Sequence, residues 1–237
     1  MIDYGFETDV LYSATHGVRI IDHYPIIEYG IRQYTRTEVP GRKGTLTEFD
    51  GTYTDTTVSM DCDIMLYDGA LEIDAQYQKF VSELQNSRRL VLEGLKDRYF
   101  RIKTIEISDY MRDTDNSITF SLLFTCEPGV YFFSGDQFVS PKGYLINSYS
   151  ESEPIYKISG SGVCTLSVND VPITANVEDE LYIDTARMLA YLSNGNGVNN
   201  IVSGNYDELC LKPGRNEISV TNGFDLKVKP QWRWLQP

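Results

Sequence analysis

Two histidines, His16 and His23, lie within eight residues of one another near the amino terminus and are the first places to look for a general base. Neither has a nucleophile to serve, because the chain contains no G-x-S-x-G elbow. The phosphate loops G-x-x-x-x-G-K-[ST] and G-x-G-x-x-G are absent, and Gly160-Ser161-Gly162 reads as a junction between two strands rather than the opening of a helix. Glycosidase chemistry needs two facing carboxylates. Asp61 and Asp63 alternate with Met60, Cys62 and Ile64, so they point outward from a strand into solvent. Glu178-Asp179-Glu180 is an acidic turn without the Gly-containing spacing of a calcium loop. Cys62, Cys126, Cys164 and Cys210 stand one per region with no C-x-x-C pair, and read as reduced, small apolar core residues rather than zinc ligands. The expectation is a protein that is not an enzyme and uses no metal or cofactor.

Two other groups of residues fit binding better than catalysis. Trp232 and Trp234 share strand parity, with only Arg233 between them. Together with Tyr144, Tyr149 and Tyr191 they offer rings for stacking on a sugar, and the bland alternative is that they cover the edge of a sandwich. The second group is Val39-Pro40-Gly41-Arg42-Lys43-Gly44-Thr45-Leu46, where Pro-Gly and a second Gly mark a loop with Arg42 and Lys43 at its tip. Most charged turns are merely solvated tips. This one is a basic protrusion on a chain with 21 Lys+Arg against 34 Asp+Glu, a net charge of −13. With Glu48 and Asp50 just beyond it, opposite charges sit along one extended element, so copies meeting side by side can pair Arg42 and Lys43 with a neighbour's carboxylates. The same acidity argues against a surface built to neutralise nucleic-acid phosphate or anionic lipid.

The elements that position these residues are mostly strands. His16 to Asp22 and Ile26 to Tyr34 are β-branched runs between turns, and Val58, Met60, Cys62 and Ile64 alternate with Thr57, Ser59, Asp61 and Asp63, a strand half in water. Tyr77, Phe80, Val81 and Leu84 recur at helical spacing and predict one helix over residues 70–86. Strands follow at 89–93, 99–108 and 117–126, the last two joined by the polar turn 112–116. Pro128-Gly129, Gly135 and Pro141-Lys142-Gly143 mark a linker, which divides the chain into 1–133 and 134–237. The second part is a run of short strands (155–158, 163–168, 180–184, 189–192, 214–220, 224–230) separated by turns such as Asn194-Gly195-Asn196-Gly197 and Asn222-Gly223, the signature of a β-sandwich. Tyr, at 17 residues, adds to the β bias. No secretory leader and no apolar run of about 20 residues is visible, so the product is expected to stay soluble in the cytoplasm that makes it.

Several stretches together resemble the distal tail proteins of long, non-contractile-tailed bacteriophages. These are Val39-Pro-Gly-Arg-Lys-Gly-Thr-Leu-Thr-Glu-Phe-Asp-Gly51 with the strand after it, Leu122-Leu-Phe-Thr-Cys-Glu-Pro-Gly-Val-Tyr131, Glu180-Leu-Tyr-Ile-Asp184, Gly204-Asn-Tyr-Asp-Glu-Leu209, Leu211-Lys-Pro-Gly-Arg-Asn-Glu-Ile-Ser219 and the closing Trp232-Arg-Trp234. The resemblance runs over nearly the whole chain in order. It implies a mainly β fold: an amino-terminal β-barrel-like domain with one α-helix, and a carboxy-terminal galectin-like β-sandwich. It further implies a homohexameric ring at the end of the tail tube, a structural hub in the virion at the tail tip. Its partners would be the tail tube protein, a tail-tip or tail-associated protein and a receptor-binding protein. DNA would pass through the lumen without specific binding, and no membrane would be involved. By the same resemblance the loop of residues 38–50, with Pro40, Gly41, Arg42, Lys43 and Gly44 at its centre, packs between subunits. The alternative is a carbohydrate-binding module that recognises host cell-wall saccharide through the sandwich, with Trp232 and Trp234 as contacts.

Overall fold

The computed structural model describes residues 5–66 and 72–236. The fold is mainly β, and the chain divides into two compact units, Met1–Val130 with Leu235–Pro237, and Tyr131–Trp234.

The first unit contains β1 (Phe6–Thr8), β2 (Val18–Ile20), β3 (Ile26–Glu28), β4 (Arg32–Glu38), β5 (Thr45–Tyr53), β6 (Thr56–Met65), α1 (Ile73–Leu84), β7 (Arg89–Leu92), β8 (Arg98–Ile107), β9 (Met111–Thr114) and β10 (Ser117–Cys126). A nearly closed, barrel-like antiparallel sheet runs β1-β7-β8-β10-β6-β2, with β3 beside β6 and β9 beside β10. Its longest pair, β6 with β10, is in register from Ser117↔Met65 to Cys126↔Thr56. Period-two alternation decides which way each side chain goes. Val58, Met60, Cys62 and Ile64 of β6 and Ile118, Phe120, Leu122 and Phe124 of β10 are buried on one face.

Helix α1 covers part of that face. Phe80 is fully buried, with its ring 6.4 Å from Phe6 and 5.9 Å from Phe120. The buried stripe is Ile73, Gln76, Phe80 and Leu84, rotated from the expected Tyr77, Phe80, Val81 and Leu84. The rotation buries a polar residue whose amide is satisfied, since Gln76 donates to the carbonyls of His16 (2.7 Å) and Met65 (2.9 Å). The helix is also shorter than 70–86. Residues 70 and 71 lie outside the described residues, and Glu72 is already extended, with φ −149° and ψ 144°. At the other end Asn86 turns back and donates from Nδ2 to the Ser82 carbonyl, which ends the helix. The segment expected to be a plain turn at 112–116 contains a strand, β9, in register with β10 at Met111↔Thr119. All four of its residues are exposed, so no apolar alternation announces it.

The second unit contains β11 (Val130–Phe132), at the passage from the first unit, and then β12 (Tyr144–Asn147), β13 (Ile155–Ser159), β14 (Gly162–Val168), β15 (Val171–Val177), β16 (Glu180–Asp184), β17 (Leu189–Leu192), β18 (Val202–Ser203), β19 (Gly214–Val220) and β20 (Asp225–Lys229). Two sheets, β12-β19-β14-β15-β18 and β17-β16-β13-β20, share one core. Leu166, Val168 and Ile173 enter it from the first sheet, and Tyr156, Ile158, Leu181, Ile183 and Val228 from the second. This is the architecture of a β-sandwich. Buried Tyr156 satisfies its hydroxyl by donating to the Leu209 carbonyl at 2.7 Å, and burial lifts its pKa well above the ordinary value. Gly160-Ser161-Gly162 is the tight link from β13 to β14, with both glycines at positive φ.

Candidate functional site

The residues with catalytic potential are committed to structure. His16 places Nε2 2.9 Å from Glu83 and ties the segment before β2 to the helix. The exposed ring of His23 places Nδ1 2.9 Å from the carbonyl of its neighbour Tyr24. Asp63 is held bidentately by Arg19 (2.7 and 2.6 Å), and Asp61 accepts from the Ser121 hydroxyl at 2.6 Å. All four cysteines are free thiols. Three are buried and Cys210 is half-buried, with burial and then Glu151 raising its pKa to about 12. Among the described residues no cluster of His, Cys, Asp or Glu is placed to hold a metal ion, and no helix is long and apolar enough to cross a membrane.

The most prominent feature is β4 with β5, a two-stranded sheet of their own that leaves the barrel as an arm. The strands pair from Arg32↔Tyr53 to Glu38↔Thr45, with a register shift between Arg32 and Tyr34. Nearly every residue of both strands is exposed. A lone two-stranded ribbon is marginal in water, so its stability has to come from specific contacts. One face supplies a row of rings: Tyr34 lies 5.9 Å from Phe49, Phe49 lies 5.5 Å from Tyr53, and the Arg32 guanidinium sits 5.3 Å over Phe49. Tyr34 and Phe49 are nevertheless 49% and 43% exposed. At the tip the Arg42 amide donates to the Val39 carbonyl (3.1 Å), and Gly41 and Gly44 take φ of 83° and 100°. Pro40, Gly41, Arg42, Lys43 and Gly44 are all exposed there. The arm, residues 32–53, carries four basic and three acidic side chains, while the rest of the chain carries 17 and 31.

The root of the arm is built tightly. The Thr54 amide donates to the Ile31 carbonyl (3.0 Å), and the Ile31 amide donates to the Thr54 hydroxyl (2.9 Å). Fully buried Thr56 accepts from the amides of Gly30 (3.1 Å) and Gly129 (3.0 Å). Gly30 lies so close to the Thr54 carbonyl that a Cβ there would come within 1.9 Å of its oxygen.

The aromatic residues of the sandwich separate into different roles. Trp232 is half-buried and packs against the sandwich core, its ring 6.4 Å from Tyr149. Tyr149 stacks on Phe132 at 4.2 Å, and the Phe132 amide donates to the Trp232 carbonyl. Trp234, also half-buried, lies two residues on. Tyr144 is exposed with the Arg215 guanidinium 4.0 Å above it. Tyr191 stacks on Tyr182 at 5.3 Å with 6° between the planes.

No protein-family model matches the sequence, and no curated protein sequence matches it. Among solved structures, the crystal structure of the Dit (distal tail) protein of phage SPP1 aligns with 95% of this chain and 97% of its own. The TM-score is 0.61 at 12% identity, and that protein is described as a paradigm of the hub adsorption apparatus in phages infecting Gram-positive bacteria. The chain has the Dit fold. The resemblance read from the loop at 39–51 and the motifs of the carboxy-terminal half is borne out at the level of the fold. Sequence reasoning found the arm's charged tip but missed the Tyr34-Phe49-Tyr53 row and the root at Gly30 and Thr56. The alternation of Phe49 and Tyr53 with polar residues was visible, but which face they share depends on the register shift.

Proposed function

We propose that this chain is a structural hub of a phage tail in the virion, closing as a homohexameric ring between the tail tube protein and the tail-tip proteins. The observation that carries this reading is the match in fold over 95% of the chain to a hub protein. In this reading the first unit forms the ring, and the second, galectin-like unit is the platform for tail-tip or receptor-binding proteins. The arm supports self-assembly independently. It is a ribbon with an exposed aromatic face and a basic tip on an acidic chain, so a second copy offers both apolar cover for the face and carboxylates for the tip. A heterologous contact of this kind closes into a ring when the rotation per subunit permits.

Light scattering and electron microscopy of the purified protein test the reading: sixfold rings are the expected result, and monomer at every concentration overturns it. The double change Arg42→Glu with Lys43→Glu is expected to weaken assembly severalfold at low salt while leaving thermal unfolding unchanged, because both side chains are solvated in the single chain. Equal assembly of variant and parent at low salt removes the electrostatic contact from the reading.

The outer face of β6 and β10 suits a wall past which DNA slides. It presents Thr57, Ser59, Asp61 and Asp63 beside Thr119, Ser121 and Thr125, and neither strand contains a lysine or arginine. The nearby cation, Arg19, is held by Asp63. A wall without free cations repels phosphate and leaves DNA mobile. Placing six lysines on it through Thr119→Lys is expected to slow DNA release from assembled particles and to make that rate salt-dependent. An unchanged release rate would place this face elsewhere than the lumen.

A further inference from the structure

The outer face of the four-stranded sheet in the second unit carries an arrangement that neither the ring nor the hub reading uses. By register, one row across the sheet reads Tyr191, Tyr182, Lys157, Lys227. The two tyrosine rings are nearly parallel at 5.3 Å, the Lys157 ammonium lies 5.4 Å from the centre of the Tyr182 ring, and Phe138 meets Tyr182 edge-on at 6.2 Å while remaining 39% exposed. Three rings and two ammonium groups are thus gathered on one solvated face. Lys157 is paired with Glu180 at 2.7 Å, and Lys229, on the same face as Lys227, is paired with Asp136 at 2.6 Å. Lys227 is exposed and makes no ion pair among the described residues, although it stands directly opposite Lys157.

The Glu180 carboxylate answers Lys157 and is also within electrostatic reach of Lys227, which leaves the row with two ammonium groups against one carboxylate. An anion bound at Lys227 would balance the excess. Both cations are lysines, which hold phosphate as point charges, and the row has no arginine fork to select a planar carboxylate. Beside them the edges of the stacked tyrosines and the exposed ring of Phe138 offer apolar surface next to polar groups, the kind of lining that orients a ligand through a few hydrogen bonds. The row spans three inter-strand steps, about 14 Å. We propose that this face is a binding site for a phosphate-bearing oligosaccharide, with the sugar against Phe138, Tyr182 and Tyr191 and the phosphate at Lys227 and Lys157. The site uses neither Trp232 nor Trp234, and it stands whether or not the chain forms a ring.

The test is a titration of the full chain, followed by NMR and calorimetry, with four probes: maltotetraose carrying a phosphomonoester, unmodified maltotetraose, inorganic phosphate and an oligoglutamate peptide. Expected is saturable binding of the phosphorylated saccharide with shifts at Tyr182, Tyr191 and Lys227, and weaker binding of each half alone. Lys227→Gln, an exposed change, is expected to lower affinity for the phosphorylated saccharide about tenfold and to leave the neutral saccharide unaffected. Tyr191→Ala is expected to lose both saccharides. Three results overturn the proposal: no shifts at these residues up to about 1 mM saccharide, unchanged affinity in Lys227→Gln, or oligoglutamate binding as tightly as the phosphorylated saccharide, which would make the face a protein-docking surface.

Discussion

Gly30→Ala is expected to abolish the proposed ring assembly while leaving the barrel folded. The added methyl carbon would sit 1.9 Å from the Thr54 carbonyl oxygen, well inside contact, and the atom it meets is backbone, which cannot swing aside as a side chain can. Relief requires the two segments to part. Parting them breaks the Thr54-to-Ile31 bond, the Ile31-to-Thr54 hydroxyl bond and the Gly30-to-Thr56 bond, all of which lie at the root of the arm. At about 1 kcal/mol each the local loss is on the order of 3 kcal/mol. A ribbon that is marginal by itself has nothing comparable to lose. The barrel core rests on β6, β10 and α1 and includes no residue of β4 or β5, so its unfolding is expected to change little. The measurements are limited proteolysis, with new cleavage expected between residues 32 and 53, and light scattering, with monomer expected. Thr56→Val is a milder companion: it keeps the shape but leaves the amides of Gly30 and Gly129 without their acceptor. If Gly30→Ala assembles normally and resists protease, the arm's root is not what holds the arm in place.

The same arm shows where reading the sequence succeeds and where it stops. Alternation in Thr56–Met65 gave the strand and its buried face correctly because one side is in the core, and burial is what writes a period of two into a sequence. The arm has no buried side, so its strands read as polar segments around a basic loop and gave no sign that they leave the barrel. Met111–Thr114 was missed for the same reason. Helix α1 was found from Phe80 and Leu84, but its rotation depends on Gln76 reaching two carbonyls, and a glutamine in a sequence does not announce its acceptors. The row from Tyr191 to Lys227 was out of reach altogether, since it is assembled from four strands and exists only through their register. The shared strand parity of the two tryptophans left open a sugar platform or a cover for the sandwich edge, and the ring of Trp232 packs against the sandwich core.

Asn216 enters the sequence reading only within the stretch Leu211–Ser219, and its surroundings explain why asparagine is needed there. The residue is fully buried at the start of β19. Its Oδ1 accepts from the Lys212 amide (2.9 Å) and from Asn169 Nδ2 (2.8 Å), while its Nδ2 donates to the carbonyls of Lys212 (2.8 Å) and Gly214 (3.1 Å). One short amide therefore closes the turn 212–216 from both directions and ties it to the β14–β15 turn, where Asn169 in turn accepts from the Glu217 amide at 3.0 Å. Only a side chain with one acceptor and two donors at this length does both. Asn216→Ala is expected to cost about 3–4 kcal/mol, because it removes four part-buried hydrogen bonds at about 1 kcal/mol each. Asn216→Asp, nearly the same shape, is expected to be at least as damaging: the carboxylate keeps the acceptors but loses both donors and faces two carbonyl oxygens in a buried place. Since β19 holds β12 on one side and β14 on the other, the damage should spread through the five-stranded sheet. Hydrogen exchange in β12, β14 and β19 should accelerate together while β6 and β10 of the first unit keep their protection. An Asn216→Asp protein with parental exchange rates in those strands would mean that the amide's donors are dispensable and that shape alone fixes the turn.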